Sequence, residues 1–349
     1  MRMRRMLLGA AAAALTLSGA ATAAEVVDGP RVHWNYSEWG KSRAITTYLE
    51  NLGPFLKERT DGQFTFQIHW GTLSQPRANL DGLQLGAFQA ASFCASYYPA
   101  KLPAHTGMDL PFLPISTLEQ LRHVTDEYYG DQVLKDEVAK WNSQYYMAAL
   151  LPLYEVVGRG TPPESLEDWK GMRIRALGQQ GKAMEKLGAV PTSVPAPDVY
   201  VSLDRGLIDA AGFAYYSHES YRTWEIGSWF TRNLAVGSIA CGAMINQDAY
   251  RSLPPQYQAL LEEFRNSPQG YPAQYAALYE AEKRAPSDFK ERGLTEVVID
   301  PEERAGFEKV GGKPVWEEWA NEMTEKGYDG DRLLTTILDL AEKHKDAGK

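Results

Sequence analysis

The stretch SLEDWKGMRIRALGQQGKAMEKLGAVPTSVPAPDVYVSLDRGLIDAA, Ser165 to Ala211, starts a strand–helix cycle afresh in mid-chain. MRIRAL (172–177) alternates as a strand and QGKAMEKLG (180–188) has helical spacing. A short strand at VPTSVP (190–195), a helix at PDVYVSLDRGL (197–207) and a strand at DAAGFAYY (209–216) follow. The same cycle has already run once upstream. RVHWNYSEW (31–39) is a strand leading into a polar loop, and SRAITTYLENLGPFLKERTDG (42–62) is an amphipathic helix closed at Asp61-Gly62. QFTFQIHW (63–70) is a strand, QPRANLDGLQLGA (75–87) a short helix, and FQAASFCASYY (88–98) a small-residue buried strand. Strands alternating with helices predict two α/β halves with largely parallel sheets.

The halves join near residues 150–160, where YYMAALLPLYEVVGRG (145–160) reads as one strand after one or two helices in 117–142. LAVGSIACGAMIN (234–246) reads as a further strand. The region Pro255 to Gly293 is helical but interrupted at Pro272 and Pro286, which predicts kinks or a break. The tail from Gly312 is helical and charged.

The first residues stand apart. Arg2, Arg4 and Arg5, an apolar run from Met6 to about Leu17, and Ala21-Thr22-Ala23 make a secretory signal, with cleavage expected after Ala23 or Ala24. Arg4-Arg5 faintly suggests twin-arginine export, but an ordinary basic start is the simpler reading. No cysteine near the site invites a lipid anchor, and no later apolar run reaches the roughly 20 residues a membrane span needs. The chain is therefore expected to be exported and soluble. Its formal charge of -9 (36 minus 45) moves to -12 (33 minus 45) once the three leader arginines are removed, which argues against nucleic acid as a partner. Cys94 and Cys241 are the only cysteines. An exported pair could form a disulfide, but sequence cannot bring the two together, and two buried free thiols is the favoured reading.

Catalytic and metal patterns are missing. Gly181-Lys182 lacks the first glycine and the Ser or Thr of a phosphate loop, and Gly158-Arg159-Gly160 lacks the third glycine of a dinucleotide fingerprint. His218-Glu219 is followed by Arg222 where a zinc motif needs histidine, and the other histidines are scattered without ligand spacing. No enzyme, metal or cofactor is expected. What needs explaining is Arg173 and Arg175, two cations on one face of the MRIRAL strand. Both could reach solvent at a strand end, which suits Arg173 beside the turn at Lys170-Gly171. Arg175 lies deeper, and a buried guanidinium needs a carboxylate or phosphate, from the protein or from a ligand.

The quoted stretch resembles the central signature of DctP-type substrate-binding proteins of tripartite ATP-independent periplasmic (TRAP) transporters. Asp168 to Arg175, Leu187-Gly188-Ala189, Asp198-Val199-Tyr200, and Leu203 through Gly206 to Asp209 fall in the family's order. FLKERTDGQFTFQIHWGTLSQPRANLDGLQLGAFQAA, DLPFL (109–113) and QDAYRSLPPQYQALLEE extend the likeness over essentially the whole mature chain. The resemblance implies a two-lobed periplasmic binding-protein fold of α/β class, with an interlobe cleft and a long C-terminal helix bridging both lobes. On that reading residues 1–24 are the signal peptide, 25–152 with 234–268 form lobe I, 153–233 form lobe II, and 269–349 hold the bridging and C-terminal helices.

By the same resemblance Arg175 holds a ligand carboxylate, and Arg173 reaches solvent. Departures from the family speak about the rest of the ligand. The second arginine and the asparagine of members that bind sugar acids are replaced by LYEVV and Phe213. The Glu-Trp pair of members using a bound cation is Gly212-Phe213 here, and a charged first-lobe position matches Cys94, followed by Tyr97 and Tyr98. Tyr36 and Trp39 fall in the ligand-facing loop, and Tyr154, Tyr215 and Tyr216 are candidates for the wall, although core packing is the default for any one of them. The expected ligand is a monocarboxylate with an apolar or aromatic body, bound by a monomer that delivers it to TRAP membrane subunits. The alternatives are a receptor of the same fold that presents its ligand to a sensor protein, and an exported enzyme acting on carboxylates.

Overall fold

A computed structural model describes residues 25–349; the leader discussed above lies outside them. The strands in chain order are β1 (Val32–Glu38), β2 (Phe64–Trp70), β3 (Ala90–Cys94) and β4 (Ser143–Ala149). Then come β5 (Glu155–Gly158), β6 (Arg173–Arg175), β7 (Val190–Thr192), β8 (Ala210–Phe213), β9 (Trp229–Arg232), β10 (Cys241–Asn246) and β11 (Thr295–Val298). They form a five-stranded sheet of order β2-β1-β3-β10-β4 and a six-stranded sheet of order β11-β9-β5-β8-β6-β7. Each sheet is the centre of one lobe.

The single strand read over 145–160 is two strands, one for each sheet, with residues 150–154 crossing between them. An unbroken apolar run hides such a break, because burial continues through it: Leu150, Leu151 and Tyr154 are all buried. The crossings also correct the expectation of largely parallel sheets. β5 enters the second lobe between β8 and β9 and runs antiparallel to both. β10 enters the first lobe between β3 and β4 and runs antiparallel to both. A chain that arrives from the other lobe comes in from the opposite end, so each sheet receives one reversed strand. β1 with β2 and β3, β6 with β7 and β8, and β9 with β11 are parallel, as βαβ units require.

Two strands escaped the sequence reading. β9 is short, and β11 is an edge strand with no buried residue, lying between the two segments that read as helical. The helix Pro255–Asn266 ends before a separate helix, Tyr271–Glu291. Pro272 lies in the first turn of that second helix, where its missing N–H costs nothing, while Pro286 is accommodated inside an unbroken helix. The break therefore falls at 267–270 rather than at either proline.

Tyr271–Glu291 bridges the lobes. It packs on Ala44–Thr46 and Thr47–Arg59 of the first and on Tyr215–Ser220 of the second. Gln274 fastens it to the first crossing, donating to the Ala148 carbonyl at 3.1 Å and accepting from Leu150 N–H at 2.5 Å. One apolar core runs through both lobes, and a smaller cluster of Val157, Tyr215, Phe230, Ala285, Phe289 and Leu294 seals the second lobe beneath this helix.

Candidate functional site

β6 has three residues, of which Arg173 is exposed and Ile174 and Arg175 are buried. Arg173 is taken up by its own lobe: its Nε donates to Asp209 Oδ2 at 3.0 Å, and its backbone N–H donates to the same oxygen at 3.0 Å. The side-chain hydrogen bond from Arg173 holds the Asp209 carboxyl below its usual range. Arg175 differs in kind. It is 1% exposed, its Nε donates to the Val194 carbonyl at 3.1 Å and its Nη1 to the Gly212 carbonyl at 2.7 Å. The guanidinium carbon lies 4.0 Å from the centre of the Phe213 ring. Among the described residues no carboxylate pairs with it, and the Tyr154 hydroxyl lies beside the guanidinium.

Arg175 faces an interlobe cavity of about 40 Å³, a few times the roughly 10–15 Å³ that one water needs. Trp39, Cys94, Tyr97, Tyr154, Phe213 and Tyr216 line the same cavity. Tyr36 stands behind the wall, with its hydroxyl 2.8 Å from Oγ of Ser92, which does line it. Tyr215 points elsewhere: its hydroxyl donates to the Thr231 carbonyl at 2.7 Å and its ring joins the small second-lobe cluster. Tyr98 is likewise a structural residue, its hydroxyl donating to the Pro76 carbonyl.

The walls are aromatic on both sides. Trp39 meets Tyr97 edge-on at 5.7 Å, and Phe213 stacks on Tyr221 at 5.6 Å with 16° between the planes. Edge-on and offset-stacked contacts such as these hold the rings in fixed orientations. Burial pushes the Tyr221 phenol up to about 12, with Arg43 pulling the other way, so this hydroxyl stays neutral. The lobes touch across the cleft: Ala196 N–H donates to the Tyr97 hydroxyl at 3.0 Å, and Arg77 Nη2 donates to Ser193 Oγ at 2.8 Å.

Cys94 and Cys241 are bonded, which corrects the reading as free thiols. They are register partners on β3 and β10, 3.9 Å apart at Cα, although 147 residues separate them in sequence. Sequence could not pair them, because only the reversed entry of β10 makes the two strands neighbours. The disulfide forms part of the cavity wall.

Sequence reasoning missed Arg43, Glu38, Tyr48 and Tyr221, all of which line the cavity. Glu38 ends β1, and Arg43 returns from the following loop to pair with it, Nη2 to Oε1 at 2.9 Å. Polar loop residues give no periodic signal, so nothing in the sequence marks these two as buried. Among the described residues no group of three or more His, Cys, Asp or Glu side chains is placed to hold a metal, and no helix is long and apolar enough to cross a membrane.

A sequence profile of the family described as bacterial extracellular solute-binding protein, family 7 (DctP) matches residues 36–323. The C4-dicarboxylate-binding periplasmic protein DctP of Rhodobacter capsulatus is 25% identical over 331 residues, 91% of this chain and 93% of that protein. The monocarboxylate 2-oxoacid-binding periplasmic protein of Nostoc sp. is 24% identical over 253 residues, and the match spans 67% of this chain and 65% of that protein. A TRAP solute-binding protein from Rhodoferax ferrireducens T118, solved in complex with copurified benzoate, superposes with a TM-score of 0.80 at 19% identity, covering 90% of this chain and 98% of its own. A marine metagenome TRAP solute-binding protein specific for aromatic acid ligands, in complex with 3-hydroxybenzoate, also gives 0.80 at 18% identity, covering 91% of this chain and 100% of its own. The chain belongs to the DctP family of bacterial extracellular solute-binding proteins, and its fold is the two-lobed one of TRAP receptors.

Proposed function

We propose that this DctP-family protein is a periplasmic receptor for a monocarboxylate with an aromatic or otherwise apolar body, which it delivers to TRAP membrane subunits. One observation carries the reading: Arg175 is buried in an aromatic-walled cavity with no acid as partner among the described residues. A lone charge out of water is costly, and a carboxylate presented to the planar fork relieves that cost with charge-assisted hydrogen bonds. Phe213, Tyr154 and Trp39 then supply flat apolar surface to the ligand's body. The Rhodoferax protein with benzoate and the marine protein with 3-hydroxybenzoate support this ligand class.

Binding works by closure. Arg175 and Phe213 come from the second lobe, whereas Trp39, Tyr97 and Cys94 come from the first, so a ligand touching both favours the closed form. The exported, monomeric state and the lobe boundaries at 152/153 and 233/234 belong to the same proposal.

The test is a thermal-shift screen of the mature protein against benzoates, phenylacetates, cinnamates, 2-oxo acids, lactate and C4-dicarboxylates, with Arg175→Ala alongside. An acid at 100 times its Kd stabilises by about 2.7 kcal/mol. A shift with aromatic acids that vanishes in Arg175→Ala is the expected result. Shifts confined to dicarboxylates would reject the aromatic pocket, and no shift with any carboxylate would reject the receptor reading.

A further inference from the structure

The cavity contains a second guanidinium whose charge is already taken. Arg43 is 6% exposed and its Nη2 lies 2.9 Å from Oε1 of Glu38, a carboxylate 2% exposed. Its Nη1 donates to the carbonyls of Trp39 and Lys41 at 2.9 and 2.7 Å. The other oxygen of Glu38 accepts from Ser92 Oγ, which in turn lies 2.8 Å from the Tyr36 hydroxyl. Both oxygens of the carboxylate are thus held, one on the arginine and one on the strand beside it.

The charged groups of the cavity lining are Glu38, Arg43 and Arg175. One cation is cancelled and one is free. We propose that Glu38 is a specificity-determining residue: by masking Arg43 it fits the site to a single carboxylate and excludes dicarboxylates. The inference rests on the receptor reading above. A second ligand carboxylate entering the cavity would find no free cation and would have to displace Glu38, leaving one acid buried without a partner. A site that rejects a competitor with a buried like charge is negative selection built from one side chain.

The geometry also says what unmasking would create. Arg175 lies over Phe213 at 4.0 Å, Phe213 stacks on Tyr221 at 5.6 Å, and Arg43 lies over Tyr221 at 5.7 Å. The two guanidiniums are joined through one stacked aromatic pair. With Glu38 neutral, the cavity would present two cations along a flat apolar wall, an arrangement suited to a ring bearing two carboxylates.

Titration calorimetry on the mature protein tests this with benzoate against isophthalate, and phenylacetate against 1,3-phenylenediacetate, for wild type, Glu38→Gln, and Glu38→Gln combined with Arg43→Gln. Wild type should prefer the monoacid of each pair by about 100-fold, as close unpaired charges dictate. Glu38→Gln should move the ratio toward the diacid by at least roughly tenfold, and the double variant should move it back. Damage to the fold weakens both acids and cannot produce a gain for one, so the ratio separates selection from mere support of the loop. Monoacid binding with an unchanged ratio in Glu38→Gln, or a wild type that takes diacids equally well, overturns this proposal and leaves the receptor reading standing. Failure of every acid to bind wild type overturns both.

Discussion

Arg175 and Glu155 line two cavities that share Leu151 as a common wall, and both are nearly out of water, at 1% and 6% exposure. Neither has an oppositely charged side chain as partner among the described residues. There the likeness ends. Glu155 accepts from the Leu234 and Ala235 N–H groups at 3.2 and 3.1 Å and from the Thr231 hydroxyl at 2.6 Å. It ties the first crossing between the lobes to the return crossing. Glu282 does the same from the bridging helix, accepting from Tyr216 N–H at 2.7 Å at the start of the helix whose Tyr216 also faces the interlobe cavity. On the hinge side, buried charge is satisfied by the chain's own backbone and is structural. On the cleft side, Arg175 has two backbone carbonyls as acceptors, no carboxylate, and a face on the cavity. A buried charge becomes a candidate for function when part of it is left facing a cavity.

That contrast can be broken by exchanging the outcomes. The largest effect is expected for Arg175→Ala, which should cost ligand binding about 2–5 kcal/mol, read by calorimetry, while the ligand-free melting temperature holds. A loss of stability without loss of affinity would make Arg175 a hinge-type residue.

Next comes pH. Burial raises Asp109, Glu155 and Glu282 to about 7 each, well above ordinary carboxyls. Each folded pKa lies above its unfolded value, so each contribution is complete below about pH 4 and fades as pH rises toward 7. Burial acts oppositely on His218, lowered to about 3, so its contribution fades as pH falls below about 6.5. Burial also lowers His123, so three groups oppose two, each bounded by about 1.4 kcal/mol per pH unit. The melting temperature of the ligand-free protein should therefore rise between pH 7 and pH 5. A flat or falling trend would refute the assignment, and Glu155→Gln should reduce the slope.

Glu155→Ala leaves two backbone N–H groups unanswered and should destabilise by about 1–3 kcal/mol, a drop of several degrees in melting. Tyr97→Phe is the smallest change. It removes only the acceptor for Ala196 N–H across the cleft, so closure should weaken by about 0.5–1.5 kcal/mol, seen as a modest fall in ligand affinity. If Tyr97→Phe instead lowered ligand-free stability and spared affinity, the lobes would be held together without ligand.

The sequence by itself determined the two α/β cycles and the helix-rich C-terminal part, and it marked Arg175 as a cation in a strand that reads as buried. Periodicity reports which face of an element is buried, and a cation inside a short apolar strand contradicts its surroundings audibly. Trp39, Tyr97, Tyr154, Phe213 and Tyr216 were legible as a group through the family resemblance, and they line one cavity. Tyr36 was one layer off, because alternation along β1 gives a side chain's face but not its depth. The rest was decided by tertiary structure. Whether an apolar run such as 145–160 stays in one sheet or crosses to another depends on which strands lie beside it, and those come from about 50 and more residues away. The Cys94–Cys241 bond waited on the reversed entry of β10. The pairing of Arg43 with Glu38 depends on a loop folding back over the end of β1, and a loop's path is set by what it packs against, not by any period in its own residues.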